Sequence, residues 1–220
     1  MDQETLKLRR LSAQYLLAPA SRRHVVRAMD GFQAQFLSNA MHAMRLRSAD
    51  PDAGYAADGL VKSWTLRGTM HLFAEADLPL FLHDGCRYHS RDWTVPSFWN
   101  QRPDWALTPQ RQAYFSDLIV DALAQGPMTR EALKARCRAA GMTQAEEGSI
   151  FHPWGGGIRE LCERGFLCGT VSEEKAFRLC PAFTPMEEQD ALLEQTRRYF
   201  TNYGPASVRD AAYYFGTSQA

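Results

Sequence analysis

The sequence lacks an excess of charge of either sign. Its 25 lysines and arginines are matched by 25 aspartates and glutamates, which argues against a protein that coats nucleic acid unspecifically, because counterion release needs clustered cations. Long apolar runs are also missing. No stretch approaches the roughly 20 residues of a membrane-spanning helix, so no membrane partner is expected. The start, Met1-Asp2-Gln3-Glu4-Thr5, has no basic segment, apolar stretch or small-residue cleavage site, and a cytoplasmic location is expected by default. Five cysteines, at positions 86, 137, 162, 168 and 180, form an odd set without a Cys-x-x-Cys pair. That pattern argues against a disulfide framework and a zinc knuckle, leaving reduced, mostly buried thiols. The six histidines show no metal-binding spacing, Gly155-Gly156-Gly157 precedes no Lys-Ser/Thr of a phosphate loop, and no serine sits in a Gly-x-Ser-x-Gly elbow. Neither a metal nor a cofactor is expected.

What remains is a globular composition. With 220 residues, 45% hydrophobic and 23% charged, the chain is long enough for one large or two small domains. Its charge is unevenly spread: residues 1–50 carry eight basic side chains against four acidic ones. That asymmetry permits a basic face on the first domain, although arginines on helices also serve as a plain solvated surface.

Apolar spacing predicts a first helix over Glu4–Leu17, a second capped by Ser21 and ended at Gly31, and a third from about Gln33 through Arg45. A short helix near Ala56–Val61 is followed by two β-like runs about Gly68, Trp64-Thr65-Leu66 and Met70-His71-Leu72-Phe73. Asp77–Leu82 begins another helix, and Trp93–Trp105 reads as a connector. Helices over Gln110–Ala124, Arg130–Ala140 and Trp154–Arg164 then lead to strands at 165–171 and 176–180 joined by a charged tip. Further helices span Glu187–Phe200 and Val208–Phe215. The fold class is mainly α with small β-hairpins (α+β), arranged as tandem winged helices: a first over 1–92, a connector over 93–107, a second over 108–184, and over 185–220 the opening of a third. The chain is therefore expected to be the front part of a longer protein.

Two segments carry chemistry. In Gly31-Phe32-Gln33-Ala34-Gln35, a regular helix would turn the two glutamines about 200° apart. They can share a target only where the helix begins irregularly, which Gly31 allows. Paired amides offer four N–H donors and two acceptors, enough to hold a water and a sugar or phosphate oxygen, while the plain alternative is a helix cap. Glutamine is no strong general base, so the chemistry it serves must need little base assistance. In Arg67-Gly68-Thr69-Met70-His71, the glycine permits close backbone approach and the three polar side chains can bind phosphate. The plain alternative there is a β-turn.

Together with Trp64-Thr65-Leu66 and Tyr203-Gly204-Pro205-Ala206, these stretches resemble, in order and spacing, the AlkZ/YcaQ-type family of winged-helix DNA glycosylases. The resemblance covers essentially the whole chain and lies nearer the Gln-x-Gln branch. It implies three tandem winged helices, Gln33 and Gln35 as catalytic residues that position water, and Arg67, Thr69 and His71 as DNA-binding residues. The implied partner is double-stranded DNA containing bulky, alkylated or crosslinked purines, acted on by a monofunctional glycosylase, expected to be a monomer. The absence of a lysine in the Gln-Ala-Gln segment agrees with water as nucleophile. The alternatives are a non-catalytic winged-helix regulator, in which the glutamines merely cap a helix, and a protein-interaction module.

Overall fold

The computed structural model describes residues 2–50, 59–65, 68–82, 88–172 and 174–216. It is a mixed helical and antiparallel-sheet protein in two compact units, one of residues 1–83 and 183–220, the other of 84–182. Residues 185–220, the expected opening of a third winged helix, thus cluster with the first segment of the chain. Among the described residues no helix is long and apolar enough to cross a membrane.

The first unit begins with α1 (Gln3–Ala13), capped by Asp2. It stops earlier than its apolar spacing predicts, because Tyr15 turns into the left-handed region at φ 62. Helix α2 (Arg22–Ala28) is capped by the Ser21 hydroxyl as read, and buries Val25 and Val26. The third helix does not begin at Gln33. Phe32–Gln33 form a short strand, β1, and α3 runs only over Leu37–Arg45. Strands β2 (Leu60–Trp64) and β3 (Met70–Ala74) make the expected hairpin. Gly59 is a turn and Leu60 and Val61 are strand, not helix end; residues 56–58 of the short helix expected there, and Leu66, lie outside the described residues.

The sheet order is β1-β3-β2, antiparallel throughout. After a 3-10 turn over Glu75–Asp77 comes α4 (Leu78–Phe81), and α9 (Glu188–Asn202) packs on α4, α1 and α10 (Val208–Phe215). Tyr199, Tyr203 and Tyr214 join α9 to α10 with ring centroids 4.7–5.3 Å apart.

The second unit contains α5 (Pro109–Leu123), β4 (Met128–Thr129), α6 (Arg130–Ala139), α7 (Gln144–Ile150), α8 (Gly156–Glu163), β5 (Leu167–Gly169) and β6 (Ala176–Leu179). Thr108 caps α5 and Thr129 caps α6. Helix α7 goes unforeseen in the sequence, although Thr143 and Glu146 form a complete capping box at its start. The three glycines at 155–157 do open α8, which starts only at Gly156. β6 lies between β4 and β5, antiparallel to both.

The core of this unit closes over Arg164, which is 1% exposed. Its guanidinium donates to Glu160 (2.8 Å) and to the Ser90 and Asp92 carbonyls (2.8 and 3.1 Å), and lies over the Trp93 ring. The other Glu160 oxygen accepts from Gln112 (2.9 Å) and Ser97 (3.3 Å). Cys137, Cys162 and Cys168 are buried free thiols and Cys180 is half-buried; Cys86 lies outside the described residues.

Candidate active site

The corner that leads into the glutamine segment is tightly constrained. Helix α2 ends with the Gly31 N–H donating to the Val26 carbonyl at 2.9 Å. Asp30 and Gly31 then both take positive φ, 53 and 76. A Cβ at position 31 would stand 2.5 Å from the Leu72 carbonyl oxygen and 2.8 Å from the Phe73 Cβ. Only glycine meets both demands, the left-handed backbone and the close approach to β3.

Beyond the corner, β1 pairs with β3 so that Phe32 faces Leu72 and Gln33 faces His71. The pairing continues as the Ala34 N–H donates to the Met70 carbonyl at 2.7 Å. Side chains alternate along an extended backbone, and Ala34 is buried while Gln33 and Gln35 on either side are exposed. The two amides therefore point the same way. The helical geometry that would separate them does not exist here, and no irregular helix start is needed to bring them together.

On the far side of β3, His71 also faces Ser63 of β2, and the Thr65 N–H donates to the Thr69 carbonyl at 3.1 Å. One face of the three strands thus carries a row Gln33, His71, Ser63, where directly opposed Cβ atoms lie about 4.5–5.5 Å apart. The Thr69–Thr65 pair follows next along the hairpin. Of the residues expected to bind DNA, His71 stands opposite Gln33 and Thr69 lies two residues before it, next to the strand; Arg67 lies outside the described residues. His71 is buried, and its Nδ1 donates to the Thr69 carbonyl at 3.1 Å. That bond fixes Nε2 as the acceptor nitrogen of the neutral ring.

Sequence reasoning missed Ser63 and Thr65. Both hydroxyls are buried and have no hydrogen-bond partner among the described residues, an uncommon condition that costs about 1–3 kcal/mol per group unless a water or ligand satisfies it. The period-2 spacing of Ser63, Thr65, Thr69 and His71 was the available signal. It becomes meaningful only once the register is known.

Behind the corner lies a buried charge cluster. Arg198 of α9 donates to both Asp77 oxygens (3.0 and 2.9 Å), to Glu194 (2.7 Å) and to the Arg27 carbonyl (2.9 Å), with Asp30 at 3.5 Å. Burial works to lower the Arg198 pKa, but its hydrogen bonds to Asp77 and Glu194 win and raise it. Burial pushes the Asp30 carboxyl up to about 8, against the pull of Arg198. Its Oδ2 has no partner among the described residues. Tyr203 adds a second tie from the carboxyl-terminal segment, donating from its hydroxyl to the Met29 carbonyl at 3.0 Å. Gly204 fits because a Cβ there would meet the Phe200 carbonyl oxygen at 2.4 Å. The Tyr203-Gly204 segment is thus a brace for the corner before Gln33. No cluster of three or more potential metal ligands occurs among the described residues.

A profile of the DNA glycosylase AlkZ-like family matches residues 26–220. The curated interstrand DNA cross-link repair glycosylase of Streptomyces sahachiroi is 29% identical over 197 residues, covering 84% of this chain and 52% of that protein. The chain therefore spans about half the length of the curated relative it matches. The solved structure of Streptomyces sahachiroi DNA glycosylase AlkZ shares the fold, with a TM-score of 0.73 at 22% identity over 100% of this chain and 62% of that one. The family match covers the Gln33 corner, the β2–β3 hairpin and the Tyr203 brace alike: the chain belongs to the AlkZ-like DNA glycosylase family.

Proposed function

We propose that this protein is a DNA repair glycosylase that hydrolyses the N-glycosidic bond of bulky or crosslinked N-alkylated purines in double-stranded DNA. The observation that carries this reading is the placement of Gln33 and Gln35 on one side of an extended segment, with His71 and Ser63 in the same row. Two neighbouring amides can accept hydrogen bonds from a water through their carbonyl oxygens and donate N–H to a sugar or phosphate oxygen, so the pair positions a nucleophile without deprotonating it.

The substrate supplies what glutamine lacks. A purine alkylated at N7 carries a positive charge, and when the bond from the sugar's anomeric carbon to the base breaks, the bonding electron pair neutralises that charge on the leaving base. Water adds to the anomeric carbon and its proton passes to solvent. The enzyme's contribution is placement and stabilisation of the developing charge on the sugar. In this reading Thr69 and His71, with Arg67, hold the DNA backbone beside the lesion. The two helix-plus-hairpin segments, 1–92 and 108–184, serve as winged helices. No amine takes part, so the product is an abasic site without strand cleavage.

The test is base release from a duplex carrying a single 7-methylguanine or a bulkier N7 adduct, with wild type beside Gln33→Ala/Gln35→Ala. The expected result is release by wild type, with a loss of about 100-fold or more in the double variant, the scale of removing a positioned polar group from a reacting centre. Release that survives in the double variant removes the glutamines from the mechanism. Salt-dependent duplex binding with no release from either adduct supports the regulator instead.

A further inference from the structure

Between α2 and α9, wholly within the first unit, lies an open cleft of about 450 Å3. Arg23, Arg27, Arg197 and Arg198 line it against a single carboxylate, Glu194. In a chain of zero net charge, that is a local concentration of guanidinium groups. The acidic counterpart is already engaged. Hydrogen bonds from Arg197 and then Arg198 hold Glu194 down to about 2, so it is ionised and committed to those two cations. Arg198 is further tied to Asp77. Arg27 reaches Asp77 only at 3.3 Å, with its side chain 46% exposed. Arg23 is exposed and has no partner among the described residues.

Tyr15, His24 and Asn202, which also line the cleft, form a directed hydrogen-bond chain. Asn202 donates from Nδ2 to the Arg198 carbonyl at 2.8 Å, which leaves its Oδ1 to accept from the Tyr15 hydroxyl at 3.0 Å. Having given its one proton to Asn202, Tyr15 accepts from His24 Nε2 at 2.8 Å. The network thus assigns the His24 tautomer and leaves Nδ1 as the edge turned away from it. Tyr15 holds this position at φ 62, a costly backbone conformation for an aromatic residue that persists only where its surroundings impose it.

We infer that this cleft seats a phosphate of the DNA backbone, gripped by the guanidinium groups of Arg23 and Arg27. The planar fork of arginine matches two phosphate oxygens at once, and the Tyr15–His24 hydrogen bond fixes those two side chains in the cleft lining. The inference rests on DNA being the partner, but not on base excision occurring.

The test is duplex binding by the full chain from about 50 to 200 mM salt, comparing wild type, Arg23→Ala and Arg23→Lys. Arg23→Ala is expected to weaken binding of an undamaged duplex by roughly threefold to tenfold and to reduce the slope of log affinity against log salt by about one. Arg23→Lys should retain the slope. An unchanged thermal midpoint confirms that the exposed substitution leaves the fold intact. In a second arm, calorimetry with inorganic phosphate asks whether a small anion is the occupant. Phosphate binding lost in Arg23→Ala with duplex binding untouched overturns the backbone assignment, and no change in either arm overturns the site. Base release is measured on the same variants. Absent release with an altered salt slope leaves the cleft standing while removing the catalytic reading.

Discussion

Each unit buries an arginine, and the two are built on opposite principles. Arg164 faces one carboxylate, Glu160, and both partners have their remaining hydrogen-bonding capacity filled by carbonyls, an amide, a hydroxyl and an aromatic face. Arg198 faces Asp77, Glu194 and Asp30; Arg27 and Arg197 also serve Asp77 and Glu194, while Asp30, approached by Arg198 only at 3.5 Å, is raised chiefly by its burial. Charge balance in the second unit makes a rigid scaffold. In the first, the poorly served carboxyl sits at the residue that begins the left-handed corner into Gln33, and the hydroxyls of Ser63 and Thr65 have no hydrogen-bond partner among the described residues. The second unit has polar atoms without a partner among the described residues and strain of its own, at Trp93 Nε1, Trp99 Nε1 and His89 (φ 53), but in the first unit they include a buried carboxyl oxygen at the corner itself.

The sharpest break of this contrast is Arg164→Leu. It strands Glu160 as a buried, unpaired charge and is expected to cost about 3–5 kcal/mol, read as a fall in the urea midpoint. A loss below about 1 kcal/mol would show that the balanced pair is not what holds the second unit together.

Next in size is Gly31→Ala, which combines a left-handed backbone with a Cβ 2.5 Å from a carbonyl oxygen. A destabilisation of about 2–3 kcal/mol is expected, together with loss of base release, since β1 cannot dock unchanged. Wild-type stability and release in this variant would refute the corner as a constraint.

Asp30→Asn sharpens the contrast through pH. A carboxyl whose folded pKa is raised from 3.8 to about 8 binds its proton more tightly in the native state. Its stabilising contribution is complete below about pH 4 and is lost as pH rises through about 8. Wild-type stability should therefore fall between about pH 5 and pH 8, by on the order of 1 kcal/mol or more, and Asp30→Asn should flatten that slope. Equal slopes in denaturation at several pH values would show that Asp30 is not the group whose titration sets this dependence.

The smallest expected effect on stability is that of Ser63→Ala. Removing a buried hydroxyl that has no hydrogen-bond partner among the described residues should leave stability within about 1 kcal/mol of wild type or slightly raise it. Base release measured alongside separates a hydroxyl that serves the site from one that does not: a drop in release at unchanged stability is the expected outcome.

Much of this architecture is written locally. Ser21 caps the helix that its position predicts, Thr108 and Thr129 cap α5 and α6, and Gly68, at φ 63, turns the chain between the two strands of the hairpin. The glutamine segment is different. A strand of two residues is too short to leave a periodic signal, and Phe32–Gln33 are extended because β3 offers them a partner, not because their own sequence prefers it. Local pattern therefore assigned Gln33 to a helix, and the geometry of the amide pair was unreadable until the register with His71 was known. The roles of Asp30 and Arg198 were hidden for the same reason, since 168 positions separate them in sequence. Helix α7 escaped because its capping residues outweigh a short and largely polar body.

The brace on the Gln33 corner also has a consequence for synthesis. Arg198 and Tyr203 reach Asp77 and Met29 across the whole of the second unit's sequence. The ribosome therefore delivers the glutamines long before their supports. At about 5–20 residues per second, roughly 5–20 s separate the emergence of the first segment from that of α9. During that interval Asp77 has no guanidinium from Arg198 and the Met29 carbonyl no phenol from Tyr203, so the corner before Gln33 is completed by α9 and the residues just after it and not by its own neighbours in sequence.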